Sequence, residues 1–229
     1  MKYMLGHVKG TLSIAMAVLV IGSIWGLLEM TLGGFLHTIH FAHKGAIMGG
    51  LAISLMAVFV TITKKPLLVP ILGFIAAAFK PFAALIFGVP VMSPFVINPA
   101  IAIVMEAMAF GAVVLILKSA IDKRLFAKAG VGFTAGILGI TFYAIIASIF
   151  GLGQWVFLDL GSKVQSVMAT GIPVAFAGAV MMVAGQFTGK LSLPHLVSVE
   201  NLHPRLYYSV SLALVAFSWV IPPMFRLGG

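Results

Sequence analysis

The fold is decided by residues 23–30, SIWGLLEM. This segment places the carboxylate of Glu29 inside a long apolar run. Between residues 11 and 36, Glu29 is the only charged residue. A run of this length matches the ~20 apolar residues that cross a bilayer as a helix. An ionisable group at membrane depth is costly unless it faces a polar cavity or a partner, and it marks function by default. The stretch therefore predicts a membrane-spanning helix with a functional carboxylate.

The composition indicates a membrane protein over the whole chain. Of the 229 residues, 62% are hydrophobic and only 8% are charged, whereas a soluble domain carries roughly a quarter charged residues. The apolar runs are continuous, which excludes the alternating strands of a transmembrane β-barrel. The chain has no cysteine, which excludes disulfides, thiolate metal sites and iron–sulfur ligation.

Seven apolar segments are long enough to be considered as spans. They cover approximately 11–36, 44–63, 66–88, 94–118, 126–150, 170–189 and 206–224. The sixth segment is short, and residues 151–170 before it are predicted to form an interfacial or re-entrant loop. The predicted fold is an all-α polytopic transmembrane bundle of six to seven spans, built as one domain over 1–229.

The distribution of Lys and Arg predicts the orientation. One side of the bundle holds ten of them: Lys2, Lys9, Lys64, Lys65, Lys118, Lys123, Arg124, Lys128, Lys190 and Arg205. The other side holds three: Lys44, Lys163 and Arg226. Because basic residues concentrate in cytoplasmic loops, the N-terminus is predicted to be cytoplasmic. Trp155 and Trp219 are predicted to be interfacial anchors.

Two further charged residues lie inside apolar runs, Lys80 in the third and Glu106 in the fourth. A rotation of ~100° per residue puts each intramembrane charge on a face with small residues, where membrane helices approach one another. These small residues are Gly22, Gly26 and Gly33 beside Glu29, Gly73, Ala77 and Ala84 beside Lys80, and Ala102 and Ala109 beside Glu106. None of the charges is expected to face lipid.

Depth relates the three charges to one another. A rise of ~1.5 Å per residue puts Lys80 and Glu106 nearly level, with Glu29 about one to two turns further out. The sequence predicts a buried Lys80–Glu106 ion pair, which either only fixes helix register or lies in the floor of an outward-facing cavity. In the second interpretation Glu29 is the ligand-facing carboxylate, and Trp25, one turn earlier, is a wall of the cavity or simply packing.

Histidines and one asparagine are the other candidate site residues. His37, His40 and His43 follow where the first span ends. A pair at i, i+3 can share a metal ion, but three at i, i+3, i+6 diverge around a helix. They are predicted to be interfacial loop residues, with metal ligation or capture of an anionic substrate as alternatives. Asn98 is expected to cap the fourth span or to hydrogen-bond a ligand.

The motifs of common enzymes and motors are absent from the sequence. There is no P-loop, no strand–helix GxGxxG, no HExxH and no Ser/His/Asp arrangement. No histidine lies at mid-membrane depth, which weighs against a b-type haem. We therefore expect a non-enzymatic protein without a cofactor or metal site of its own, and any active transport needs a separate motor or an ion gradient.

Several of these residues together resemble a known family. The segment Trp25-Gly26-x-x-Glu29 leads to Gly33-Gly34, and Lys80-Pro81 is followed by Asn98-Pro99 and Glu106. This pattern resembles the substrate-capture (S) subunits of energy-coupling factor (ECF) transporters. The nickel and cobalt members begin with Met-His, whereas this chain begins Met1-Lys2-Tyr3, so their metal site is not carried over.

The resemblance implies a substrate-binding subunit in the plasma membrane of a prokaryote, with a vitamin-like small molecule or a metal ion as substrate. It implies a first outer loop that acts as a lid, and partners in the form of a transmembrane coupling subunit and cytoplasmic ATPases, with no role for nucleic acid. The docking face of that family is a small-x-x-x-small pattern, which Ser13 and Ala17 match here. The family commonly has six helices, so a seventh span is a departure.

Two other functions fit the same sequence. The first is a membrane anchor subunit of a respiratory or redox complex, in which Glu29, Lys80 and Glu106 form a quinone site or a proton path. The second is an ion-coupled permease that works alone.

Overall fold

The computed structural model describes residues 10–117 and 124–227, and its regular structure within these ranges is helical, without a β-strand. Seven segments are long and apolar enough to cross a membrane. The predicted all-α polytopic membrane bundle is confirmed. Four of the lysines used to predict orientation lie outside the described residues: Lys2, Lys9, Lys118 and Lys123. The start of the chain, Met1-Lys2-Tyr3, lies outside them too.

The bundle contains eight α-helices in the described residues. They are α1 Thr11–Thr38, α2 Lys44–Thr63, α3 Val69–Ala77, α4 Lys80–Phe87, α5 Pro94–Ile116, α6 Leu125–Ile149, α7 Leu160–Leu202 and α8 Pro204–Leu227. Short 3₁₀ turns lie at Pro66–Leu68 and Gly153–Val156. We call the side of the bundle at Thr11 and Thr63 the N-terminal face, and the side at Thr38 and Lys44 the opposite face.

The third span is broken in its middle, so that α3 and α4 are two half-helices. The break falls at residues 78–79, directly before Lys80-Pro81. Proline has no N–H to donate, and its ring collides with the carbonyl four residues earlier, here that of Ala77. The break puts Lys80 at the first position of α4. Discontinuous helices of this kind form binding sites in several transporter folds.

The seventh helix differs most from the prediction. α7 has 43 residues, which at ~1.5 Å per residue is about 64 Å, twice the ~30 Å of a bilayer core. It includes part of the predicted loop 151–170, because Asp159 caps the helix start by accepting a hydrogen bond from the Ser162 N–H at 2.7 Å. This bond holds the pKa of the Asp159 carboxyl below its ordinary value.

The last helix runs along the first in the same direction. The Tyr208 hydroxyl lies 3.0 Å from the Ser13 Oγ, and the Trp219 Nε1 donates to the Ser23 Oγ at 3.0 Å. The Trp219 ring also packs on Phe79, with 4.3 Å between centroids. The prediction that Trp219 is an interfacial anchor is therefore wrong, because α8 lies against α1 and its indole meets a buried hydroxyl there.

Helix α1 and the broken span approach each other closely at Gly26. A Cβ added to Gly26 would overlap the ring of Phe79, which is fully buried. Glycine at this position lets the ring lie directly on the α1 backbone, next to the break that precedes Lys80. Small residues at such crossings let membrane helices pack closely.

We expect Gly26→Ala to destabilise the protein by about 1–3 kcal/mol, because the extra methyl forces the Phe79 ring out of its place. The measurement is the thermal unfolding midpoint of the purified protein in a mild detergent. Gly130→Ala is the matched control, since a Cβ there meets no atom within 4 Å. Equal midpoints for the two variants would contradict the close approach of Phe79 to α1.

Candidate functional site

A buried ion pair joins α1 to α4. The Lys80 Nζ lies 2.9 Å from the Glu29 Oε2 and also donates to the Glu29 main-chain carbonyl at 3.2 Å. The two side chains are 10% and 9% exposed. Removing one partner of a buried pair leaves an uncompensated charge, which costs about 3–5 kcal/mol. The pair therefore fixes α4 against α1 at membrane depth.

Trp25 completes the set of donors around the Glu29 carboxylate. Its side chain is buried, and its Nε1 donates to the Glu29 Oε1 at 3.4 Å. One carboxylate oxygen thus faces the Lys80 ammonium and the other faces the indole. A charge with hydrogen bonds on both oxygens is oriented as well as neutralised.

The predicted pairing of Lys80 with Glu106 is wrong, since Lys80 pairs with Glu29. Counting residues gave a depth for each charge on the assumption of a continuous third helix. The span begins instead with the 3₁₀ turn Pro66–Leu68 and breaks before Lys80. Depth also does not specify which neighbouring helix a side chain meets.

Glu106 lies where α5 meets α2 and α6. Its Cγ is 3.1 Å from the position of a Cβ built on Gly139, and its Oε1 is 3.7 Å from one built on Gly49. The side chain is partly buried. Among the side chains that the structure describes, none forms a hydrogen bond or an ion pair with its carboxylate. Glycines on both neighbouring helices make room for it.

Above the Glu29–Lys80 pair lies a cavity of about 370 Å³. It extends from exposed residues at the opposite face, such as His37 and Phe87, down to the buried pair. Its walls come from α1, α2, α4 and α5, and include Met30, Gly33, Lys44, Met48, Ala83, Phe95 and Asn98. A ligand entering from this face would meet the ion pair as the floor.

A second polar contact lies at the mouth of the cavity. The Lys44 Nζ is 2.8 Å from the His37 Nδ1. An ammonium can only donate, so we assign His37 as the neutral tautomer that accepts at Nδ1 and keeps its N–H at Nε2. The lining then holds two ammonium groups, Lys44 and Lys80, and one carboxylate, Glu29. The formal charge of the lining is therefore +1.

Aromatic rings form one wall of the cavity. Phe87 and Phe95 meet edge to face with 5.4 Å between centroids, and His37 meets Phe95 in the same way at 5.0 Å. Edge-to-face pairs of this kind hold rings in fixed orientations. The wall suits a flat or apolar ligand body, while the polar groups lie at the floor and at the mouth.

The structure brings together four of the predicted site residues at the cavity: Glu29, Lys80, Asn98 and His37. Trp25 lies behind the carboxylate instead of lining the cavity. Glu106 and His40 do not line it, and His40 is exposed in a left-handed backbone conformation at φ 52°.

Asn98 does not cap a helix, because α5 begins four residues earlier with Ser93 at its N-cap. Sequence reasoning missed Lys44, Met48, Phe87 and Phe95. Lys44 could have been predicted from its position. It lies at the start of α2, next to the end of α1 that carries His37.

The histidines do not form a metal site in the described part of the chain. No group of three His, Cys, Asp or Glu side chains there is arranged to hold a metal ion. His43 is exposed and its ring packs edge to face against Phe41, with 6.4 Å between centroids.

The predicted docking face on α1 is partly covered by the chain itself. Ser13 is fully buried, and its hydroxyl donates to the Glu200 carboxylate and meets the Tyr208 hydroxyl. Ala17 is partly buried against the hydrophobic core. A role for this face in docking stays a prediction, and it would require α8 to move.

No protein-family model, curated protein or solved structure matches this chain.

We expect Lys80→Met to lower the stability by about 3–5 kcal/mol, because it leaves the Glu29 carboxylate buried without a cation. Adding Glu29→Gln to Lys80→Met should restore part of that loss, since glutamine is neutral and still accepts from Trp25. The measurement is the unfolding midpoint in detergent for each single variant and for the double variant.

The matched control is the double variant of Lys80→Met with Glu106→Gln. Glu106 does not contact Lys80, so this change should restore little. If Glu106→Gln rescued Lys80→Met as well as Glu29→Gln did, the assigned pairing would be wrong.

Proposed function

We propose that this protein is the membrane-embedded substrate-binding subunit of an uptake transporter. The observation that carries the proposal is the cavity at the opposite face, with the Glu29–Lys80 pair as its floor. Small-molecule sites are concave, mostly apolar and about 300–1,000 Å³ in volume, with a few polar groups that orient the ligand. A cavity of about 370 Å³ with an aromatic wall and polar groups at both ends fits this description.

The charges favour a small organic substrate over a metal ion. The one carboxylate in the lining, Glu29, is already engaged by Lys80. The other ionisable groups are Lys44 and His37, which contact each other. Metal cations need carboxylate or free imidazole ligands, and a lining with formal charge +1 repels them.

The lining also indicates how such a substrate binds. We expect an anionic group, such as a carboxylate, to be held at the mouth by the Lys44 ammonium and the His37 Nε2–H. The apolar body would lie along Phe87 and Phe95. A polar group at the far end would meet the amide of Asn98 or the ion pair at the floor.

The proposal includes separate energy-coupling partners. The sequence has no nucleotide-binding motif, so uptake driven by ATP requires other subunits. The resemblance to ECF substrate-capture subunits favours a transmembrane coupling subunit with cytoplasmic ATPases, in the plasma membrane of a prokaryote. With the N-terminus cytoplasmic, the cavity would open to the outside, as capture of an external substrate requires.

Glu106 favours a second candidate function, the membrane anchor of a redox complex. A carboxylate inside the membrane without a partner among the described residues is a typical member of a proton path. The two functions differ in what the purified protein holds. An anchor subunit would release a quinone on extraction, and a transport subunit would release a water-soluble small molecule.

We expect Gly33→Leu to abolish substrate retention, because its side chain would project into the cavity. A Cβ at Gly33 would lie 3.6 Å from both the Glu29 Oε2 and the Met48 Cε. The measurement is mass spectrometry of small molecules released by denaturing protein purified in mild detergent. Wild type and the control Gly130→Leu should release the same compound at the same ratio to protein, and Gly33→Leu should not.

Comparable unfolding midpoints for the two variants will show that Gly33→Leu is folded. Equal release from Gly33→Leu and Gly130→Leu would place the compound outside the cavity and contradict the proposal. Release of a quinone that Gly33→Leu prevents would favour the redox anchor.

A further inference from the structure

We propose that a groove at the N-terminal face binds the headgroup of an anionic phospholipid through Lys64 and Lys65. The groove has a volume of about 510 Å³. It lies between the start of α1 at Thr11, the turn from α2 to α3, and the end of α5 at Leu115. It is separate from the substrate cavity and does not depend on the proposed function.

The length of α2 places this groove at the membrane surface. α2 runs from Lys44 to Thr63 over 20 residues, which is ~30 Å at 1.5 Å per residue. That length equals the thickness of a bilayer hydrocarbon core. Lys44 therefore lies at one surface, and Lys64 and Lys65 lie at the other, at the depth of lipid headgroups.

The turn that carries the two lysines is fixed by local hydrogen bonds. Lys64 adopts a left-handed conformation at φ 56°, and its N–H donates to the Val60 carbonyl at 2.9 Å. The fully buried Thr63 accepts from the Lys65 N–H at 3.3 Å and donates to the Phe59 carbonyl at 2.8 Å. The two ammonium groups are thus presented together from a rigid base.

The positive charge at this turn is not neutralised within the described residues. Lys64 and Lys65 are exposed and have no carboxylate within ion-pair distance there. Lys190 lines a crevice that Lys64 also borders. The Glu200 carboxylate accepts a hydrogen bond from the Ser13 hydroxyl and is not within ion-pair distance of Lys64 or Lys65. Basic side chains grouped at a membrane surface attract anionic lipid headgroups.

The apolar side of the groove identifies the phosphate as that of a lipid. Leu67 is 73% exposed and Leu115 is 40% exposed, and both line the groove beside the lysines. At the membrane surface such residues contact acyl chains, which a soluble phosphate or an acidic protein does not supply. The lysines at the membrane surface match the charged headgroup of an anionic phospholipid, and the leucines match its acyl chains. Each lysine near the surface adds to the attraction of the anionic headgroup.

The test uses the full chain in nanodiscs that contain equal amounts of phosphatidylglycerol and phosphatidylcholine. Native mass spectrometry measures which lipids stay bound after release from the nanodisc. Wild type should retain phosphatidylglycerol in preference to phosphatidylcholine. The double variant Lys64→Gln with Lys65→Gln should reduce that preference by about tenfold or more, because two charges near the headgroup are lost.

Two controls keep the result specific. Lys163→Gln removes a lysine that lines a different cleft, between α6 and α7 at the opposite face, and should leave the preference unchanged. Lys64→Arg with Lys65→Arg keeps the charge and should retain phosphatidylglycerol. Equal retention of the two lipids by wild type, or an unchanged preference in the Lys64→Gln with Lys65→Gln variant, would overturn the proposal.

Discussion

Two opposite charges at membrane depth must meet each other, and the rest of the structure depends on that contact. Neither Glu29 nor Lys80 is tolerable alone in the hydrocarbon region, and together they lie 2.9 Å apart. This contact requires α4 to begin at Lys80. Pro81, the next residue, ends α3 and so makes α4 begin there. The contact also requires close approach to α1, which Gly26 permits by accepting the Phe79 ring.

The same contact shapes the site above it. Because the floor is a neutral pair held by Trp25, the sign of the cavity is set at its mouth by Lys44 beside His37. The polar groups of the cavity lie on α1, α2 and α4, and the Glu29–Lys80 contact holds α1 and α4 together. A ligand therefore meets a largely pre-formed site, which lowers the ordering cost of binding.

Much of the fold follows from the sequence, while the contacts between helices do not. The bounds of α2, Lys44–Thr63, equal the predicted 44–63, because charged residues flank a continuous apolar run. The partner of Lys80 and the place of Trp219 were mispredicted, since a linear pattern gives the height of a residue and not the helix beside it. Lys44 was missed because its contact with His37 depends on how the end of α1 packs beside the start of α2.

The central claim is that the Glu29–Lys80 pair is the floor of a positively charged cavity open at the face opposite the N-terminus. The chain has no cysteine, so single cysteines can be placed at will. Met30→Cys lines the cavity, and Met56→Cys lies in the closed core. In sealed vesicles, Met30→Cys should react with a membrane-impermeant anionic thiosulfonate applied on the side opposite an N-terminal tag. It should react faster with this reagent than with a cationic one, and Met56→Cys should stay unmodified. A Met30→Cys variant that is inert from that side, or that reacts only from the tagged side, would contradict the account.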